Sequence, residues 1–488
     1  MREREDKMRR SLMMVVFLMI LGMPISAHAA EDSHVEQIET YMRDAIEKYK
    51  ISGASLAVVK DDKVIFQDSW GVQSDDSVVT DHSLFLLGSL SKPLTSLGVM
   101  RLVEEGKIDL DTRIKDYVPE LVSQYADLED VTVRQLLSHT SGFSSYAGLE
   151  VADRNVRGED AIQKVIEGTD DFSLAYNPGE VYEYSAMNYL LLGYVIESVS
   201  HQSFSDYMQA EVFNELNMER TVATYEEADK LGYQNGFQSW FGKPVKSDII
   251  YDNSGAPYGY MASSVNDMVM YVEFLLNKGN GVLTEKAFDV YTSPQVERGE
   301  DSYYGLGWFI TTKMNDPYYF HSGSTPTSLA QLLVDEQDGF GFVLLTNKHN
   351  ISEVLHTTYM RNGIKQILEG DGIPELPDSS YTMQGIALGA SLVITLIAVW
   401  SLYHLLRKKV VRTKLWVGVG IVALIMAVTF IPVLTEAFHS PWYTIKLVAP
   451  DTAFFIQWTV GVLVLYGIST LFILFWNRTS VKEMEKKT

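Results

Sequence analysis

The sequence predicts an α/β chain of the α+β kind: an antiparallel sheet flanked by helices, an added helical lobe, and three membrane-spanning helices behind them. Three observations carry this expectation. Strand patterns lie near both ends of the first 370 residues, with helical patterns between them. Three long apolar stretches follow a short linker. The N-terminus opens with basic residues and passes into a short apolar run, as exported chains do.

In order along the chain, residues 1–29 read as a secretory signal peptide. Arg2, Arg4, Arg9 and Arg10 precede an apolar run at about 12–23, and Ala27-His28-Ala29 supplies the small residues of a cleavage site. That run is too short to cross a bilayer comfortably. Val35, Ile38, Met42, Ala45, Ile46 and Tyr49 then recur at helical spacing. Residues 54–59 and 64–70 flank Lys60-Asp61-Asp62-Lys63, a hairpin signature. From about 80 to 300 the chain reads as helices and loops. Strand patterns return at 305–311 and 329–347, the latter broken by a turn at 335–339, and a helix is expected at about 352–368. Residues 30–370 thus make one domain, and 371–383, with Pro374 and Pro377, a linker.

The three apolar stretches, about 384–406, 415–437 and 453–476, are each long enough to span a bilayer and hold no basic residue at their centres. Arg407, Lys408, Lys409, Arg412 and Lys414 separate the first two, and Lys482, Lys486 and Lys487 follow the third. Only Lys446 is basic between the second and third. The excess of cationic residues places the 407–414 loop and the tail, 477–488, in the cytoplasm. The domain before the spans is then extracytoplasmic, the side to which a signal peptide would deliver it. Trp442, Tyr443 and Trp458 fit an aromatic belt.

Composition narrows the chemistry. With no cysteine, disulfides, a thiol nucleophile and thiolate metal ligands are excluded. A formal charge of −23 argues against nucleic-acid binding. The ten histidines form no ligand-spaced cluster, so neither metal nor cofactor is expected.

Ser89-Leu90-Ser91-Lys92 opens a helical pattern that continues through Leu94, Leu97, Val99, Met100 and Val103. Three residues apart on a first helical turn, serine and lysine share a face. A serine hydroxyl needs an adjacent base, and a lysine with a lowered pKa can serve. Taken alone, the tetrapeptide reads better as a helix cap with a solvated lysine. It is not alone. Tyr184-Ser185-Ala186-Met187-Asn188 follows a turn signal at 177–180, and His321-Ser322-Gly323 begins a strand pattern after Gly305-Leu306-Gly307-Trp308.

These three segments, in this order, resemble the S-x-x-K, Y-x-N and K-T-G elements of the serine β-lactamase and penicillin-binding protein superfamily, in its class C-like branch. Leu136-Leu137-Ser138-His139-Thr140-Ser141-Gly142, Gly259–Ser264 with Asp267, and Leu344-Leu345-Thr346-Asn347 extend the resemblance over about 35–365. The resemblance implies that Ser89 is the acylated nucleophile, Lys92 its proton acceptor and Tyr184 the proton shuttle. His321 stands where lysine is usual and would shape the electrostatics around Tyr184. The N–H groups of Ser89 and Ser324 would form the oxyanion hole, with Ser322, Gly323, Ala186 and Asn188 completing the expected substrate-binding set. His139 is expected to tie a loop to backbone. Ala186 departs from the pattern, because the family's asparagine there contacts the substrate amide. Asn188, two positions further on, does not simply replace it, so the site is expected to handle β-lactams poorly.

An exported domain followed by three spans is similar to the membrane-bound colibactin-maturing type of D-amino peptidase, as is Phe241-Gly242-Lys243-Pro244-Val245 locally. The function this implies is a membrane-anchored, extracytoplasmic serine peptidase or amidase. It would act on D-amino-acid-containing peptides or small amides, with the lipid bilayer as its other partner. A DD-carboxypeptidase, penicillin-binding protein or β-lactamase is the enzymatic alternative. A β-lactam or peptide sensor is the non-enzymatic one, although sensors of that kind place the binding domain after the spans and carry H-E-x-x-H, which this chain lacks. No G-x-S-x-G motif supports an α/β-hydrolase.

Overall fold

A computed structural model describes residues 33–248, 251–279, 281–313, 317–407 and 413–485, with side chains to 476. The expected signal peptide, and Lys408, Lys409, Arg412, Lys486 and Lys487 of the charge pattern, lie outside the described residues.

Helix α1 (33–49) leads into strands β1 (Gly53–Lys60) and β2 (Lys63–Gly71), the expected hairpin. Six more strands come from the far end of the domain: β3 (Val296–Gly299), β4 (Ser302–Tyr304), β5 (Phe309–Thr311), β6 (Tyr318–Thr325), β7 (Ser328–Asp335) and β8 (Phe340–Thr346). They form one eight-stranded sheet in the order β2-β1-β8-β7-β6-β5-β4-β3, antiparallel throughout. The two ends of the domain meet where β1 pairs with β8, Leu56 opposite Leu344.

Side-chain alternation divides this sheet between two cores. Leu56, Val58, Phe342 and Leu344 face one way, onto Ile38, Met42 and Tyr49 of α1 and Met360 and Ile364 of a C-terminal helix. Ala57, Val59, Val343 and Leu345 face the other way, onto the larger cluster that holds the helical lobe. With apolar residues needed on both faces, β1 and β8 are buried almost end to end. The lobe is built around α2 (Ser91–Glu104), α3 (Ala186–Ser200) and α4 (Val265–Leu276), and the C-terminal helix of the domain is α5 (Val354–Leu368).

Three local differences from the sequence reading have plain causes. β3 and β4 fall inside the region read as helix and loop, because short strands with Glu297, Arg298 and Gly299 carry little apolar alternation. A small hairpin, Phe237–Trp240 with Lys243–Lys246, falls there too, its second strand fully exposed. β6 begins at Tyr318, ahead of the expected start at His321.

Three helices long and apolar enough to cross a membrane follow the domain: α6 (Thr382–Arg407), α7 (Thr413–Ala437) and a long last helix whose apolar part is Pro450–Trp476. The connection after α7 holds a short helix, α8 (Trp442–Val448), and the last helix, α9, is Pro450–Glu485. Leu396, Val428 and Leu465 expose two thirds or more of their surface (68%, 75% and 68%), as side chains facing lipid would. Between helices the contacts are small and polar. Gly467 lies so close to α7 that a Cβ there would stand 2.9 Å from the Gly420 carbonyl oxygen. Ser391 and Thr459 hydroxyls meet at 2.9 Å, and Ser401 meets Tyr466 at 2.8 Å. Small residues and hydroxyl bonds are what helix association in a bilayer relies on.

Candidate active site

Ser89 sits in a single 3-10 turn, Gly88–Leu90, immediately ahead of α2 rather than within its first turn. Two glycines press this turn against β6. Gly88 has φ +56°, and a Cβ there would lie 2.2 Å from the Ser324 nitrogen. A Cβ on Gly323 would lie 1.8 Å from the Leu87 carbonyl oxygen. Neither position tolerates a side chain, and the backbone nitrogens of the Ser89 turn and of Ser324 are therefore neighbours.

Lys92, on the first turn of α2, is 1% exposed, and its Nζ lies 3.0 Å from Ser89 Oγ. It also donates to the Tyr258 carbonyl oxygen at 2.7 Å. No carboxylate among the described residues pairs with it. The Tyr184, Tyr189 and Tyr258 rings surround it at 4.8, 5.5 and 6.0 Å from their centroids. Burial without a counter-charge lowers its pKa to about 7. The lysine is thus free to be neutral near physiological pH, with one N–H held by Tyr258 and its lone pair available toward Ser89.

Tyr184 precedes α3, and its loop is held from both sides by His139. The Glu183 N–H donates to the His139 carbonyl oxygen (2.9 Å), and the Ser185 N–H donates to His139 Nδ1 (3.3 Å). The His139 and Tyr184 rings are 4.2 Å apart. Since Nδ1 accepts, the His139 proton belongs on Nε2, and burial keeps the ring neutral by lowering its pKa well below the ordinary value. The backbone-tying role expected of His139 is what the geometry provides, with the catalytic-motif tyrosine as the part tied. The buried Tyr184 hydroxyl makes no hydrogen bond of ordinary geometry among the described residues. Burial raises its pKa well above 10, and the Ser89 hydroxyl beside it opposes that rise.

His321, on β6, is fully buried. Its Nδ1 lies 2.9 Å from the Ser322 carbonyl oxygen, and Nε2 lies 3.3 Å from the Tyr304 hydroxyl. The first contact requires Nδ1–H, so Nε2 accepts from Tyr304. Burial, with Lys92 adding to it, lowers the His321 pKa to about 3. Where a lysine would bring charge, this site has a neutral ring 6.3 Å from that of Tyr184.

Two cavities open from Ser89, sharing Tyr184 and Ser324. One, of about 310 Å³, is lined by Arg298, Phe309, His321, Ser322, Gly323 and Gln331 among others. The other, of about 340 Å³, contains Lys92, Ala186, Tyr258, Tyr260, Thr325 and Pro326. Ser89, Lys92, Tyr184, His321, Ser322, Gly323, Ser324 and Ala186 are therefore brought together. Asn188 is not. It lies in the interior, 0% exposed, its amide oxygen taken by Ser141 Oγ (2.5 Å) and its nitrogen 2.9 Å from His139 Nδ1. It braces the loop behind Tyr184 and has no edge toward substrate. Two residues along the helix rotate position 188 by about 200° from position 186, which turns Asn188 away from the face that Ala186 presents. Sequence reasoning missed Arg298, whose short polar strand carried no motif. It also missed Tyr304, one residue before the quoted Gly305-Leu306-Gly307, and the Tyr258 carbonyl, since backbone acceptors leave no mark in a sequence.

Comparison with known proteins gives the family of the domain that holds this site. The family model described as Beta-lactamase matches residues 38–362. "Protein flp" of Staphylococcus aureus strain MW2 is 29% identical over 319 residues, 64% of this chain and 63% of that protein. "Penicillin-binding protein 4" of Amycolatopsis lactamdurans is 27% identical over 315 residues, covering 62% of this chain and 82% of its own. The chain thus spans about 63% of the length of the Staphylococcus relatives. Among solved structures, the octameric penicillin-binding protein homologue from Pyrococcus abyssi superposes with a TM-score of 0.61 at 24% identity, covering 69% of this chain and 77% of that one. The D-amino acid amidase from Ochrobactrum anthropi SV3 gives 0.58 at 21%, covering 68% and 99%. At such identities these two likenesses speak for the fold.

Proposed function

The chain belongs to the Beta-lactamase family, and from that premise we propose that it is a membrane-anchored serine hydrolase that forms an acyl-enzyme at Ser89 and cleaves amides of D-amino acids. The observation that carries this reading is Lys92: a fully buried amine with no counter-charge, 3.0 Å from Ser89 Oγ.

In the proposed reaction the Ser89 proton passes to neutral Lys92 while Oγ bonds to the substrate carbonyl carbon. The oxyanion that forms is held by the N–H groups of Ser89 and Ser324. The C–N bond then breaks as Tyr184, which lines both cavities, passes its proton to the leaving amine and takes up the one held by Lys92. Water enters by the same route and passes a proton through Tyr184 to neutral Lys92 as its oxygen bonds to the acyl carbon; the C–O bond to Ser89 then breaks, Lys92 returns that proton to Oγ, and the acid leaves. His321, neutral and hydrogen-bonded to Tyr304, orients this wall and contributes no charge.

Residues 30–370 are read as the extracytoplasmic catalytic domain, 371–383 as its linker, and α6, α7 and the apolar part of α9 as its anchor. The contacts of α8 with the domain support placing that connection on the domain's side, and the cationic 407–414 loop on the other. Maturation of a peptide product is the finer form of this proposal, supported by the order of domain and spans.

Arg298 favours a second reading. An exposed guanidinium in the cavity beside Tyr184 suits the free carboxylate of a leaving residue, as a carboxypeptidase requires. One panel separates the two: N-acyl-D-amino amides, their L-enantiomers, and N-acyl-D-aminoacyl-D-amino acids with a free carboxylate, each against the parent protein and Ser89→Ala. The proposal expects D over L by at least about tenfold in kcat/KM, roughly 1.4 kcal/mol, and amide cleavage without a required carboxylate. Turnover confined to free acids selects the second reading. Equal rates on both enantiomers refute the D-specific part.

A further inference from the structure

The cavity that holds Lys92 and Ala186 has a wall that the catalytic domain does not supply. Thr444 and Val448, both on α8, line it together with Ser89, Leu149, Ala152 and Pro326. α8 belongs to the connection between the second and third apolar helices, where the sequence suggested only an aromatic belt. Its position is fixed by directed bonds. The Tyr443 hydroxyl donates to the carbonyl oxygens of Leu149 and of Ala152, the latter at 3.0 Å, and both residues line the same cavity. Gln238 Nε2 donates to the Leu447 carbonyl oxygen at 2.7 Å. Asp451, fully buried at the start of α9, accepts from the Phe241 N–H at 3.1 Å and from Asn350 Nδ2 at 3.2 Å. The rings of Trp240 and Phe241 lie 5.8 and 6.0 Å from those of Phe454 and Phe455.

These contacts seat the membrane module on the domain by the small hairpin at 237–246 on one side and the 149–152 segment on the other. On the side that α8 closes, Leu149, Ala152, Pro326 and Val448 make the cavity wall apolar, with the buried Thr444 hydroxyl beside that of Tyr443, whereas Ser145, Asp153, Tyr258, Tyr260 and Thr325 line the rest.

We infer that α8 is a specificity-determining wall of the substrate site, through which the membrane module selects amides and esters whose acyl part is extended and apolar. The inference rests on Ser89 being the nucleophile. Thr444 and Val448 touch the distal part of the acyl group and take no part in bond making. A short acyl group reacts at Ser89 without reaching them, whereas a longer one runs along α8.

The test uses the full chain in detergent, with p-nitrophenyl acetate and p-nitrophenyl hexanoate as donors and labelling of Ser89 by a small fluorophosphonate as the measure of an intact site. Val448→Trp fills the wall. It should lower the hexanoate-to-acetate ratio of kcat/KM at least tenfold, with labelling of Ser89 retained. Val448→Ala opens the wall and should raise the hexanoate-to-acetate ratio by about threefold, which keeps the inference testable if the tryptophan variant collapses the site. An unmoved ratio in Val448→Ala, with labelling retained, overturns the role of α8 and leaves the hydrolase reading standing. Absence of labelling and turnover in the parent protein overturns the Ser89 assignment itself.

Discussion

Replacing Lys92 with methionine should abolish turnover and at the same time make the protein more stable near neutral pH. The opposite signs follow from one fact. The lysine is buried with no carboxylate beside it, and its pKa falls from 10.5 to about 7. At 1.36 kcal/mol per unit, a depression of about 3.5 units costs the native state about 5 kcal/mol wherever the unfolded chain would be protonated and the native amine is forced neutral or charged in isolation. Methionine fills similar space without that cost. Against the gain stands the Tyr258 carbonyl oxygen, which loses its 2.7 Å donor. An unsatisfied buried acceptor costs about 1–3 kcal/mol. The net expectation is a gain of about 2–4 kcal/mol at pH 7. The sign reverses with pH. Between about 7 and 10.5 the unfolded state binds more protons than the native state, so the parent protein gains stability as pH rises. By pH 10.5 the advantage of Lys92→Met should be gone. Thermal unfolding of the detergent-solubilised chain, followed by tryptophan fluorescence at pH 7 and pH 10, reads both effects. A Lys92→Met protein that is less stable than the parent at pH 7, or whose advantage is the same at both pH values, refutes the picture of an uncompensated buried base.

The rising limb of kcat/KM against pH should have its midpoint at about 7, because the base must be neutral and Lys92 titrates there. His321, lowered to about 3, is neutral throughout, so His321→Gln should keep that midpoint, and a limb that moves by a unit or more assigns the titration to the histidine. Cephalosporin hydrolysis should be far below the ordinary enzyme turnover of about 10 per second, since Ala186 offers no amide to the substrate; turnover near that value promotes the β-lactamase reading. A cysteine at exposed Glu159 should react with an impermeant maleimide on intact cells and one at Thr413 only after lysis, with the reverse pattern contradicting the topology.

The parts of this molecule that were legible in the sequence are those that periodicity and local geometry encode. The β1–β2 hairpin showed in its alternation around Lys60-Asp61-Asp62-Lys63, and the spans of α6, α7 and α9 in unbroken apolar length. Ser89, Lys92, Tyr184 and His321 were legible because each sits in a short motif, the first three at the start of a helix and His321 within β6. Other features depend on where distant segments meet. The Tyr258 carbonyl that holds Lys92, the exposed Arg298 over the Tyr182 ring, and α8 at the cavity wall are contacts across 166, 116 and about 300 residues of chain, as the numbering shows. Asn188 failed for a related reason. Counted along the chain it neighbours Ala186, but the helix turns it toward Ser141 and His139.

The central claim is that Ser89 carries the acyl group, and trapping that intermediate tests it most directly. Tyr184→Phe keeps the ring against His139 and removes the hydroxyl that the proposed deacylation uses. Incubated with the p-nitrophenyl ester of an N-acyl-D-amino acid, whose leaving group needs no proton from Tyr184, and digested, this variant should show the mass of the acyl group on the peptide containing Ser89, with no such adduct in Ser89→Ala. An adduct on a different residue, or turnover that persists in Ser89→Ala, contradicts the account.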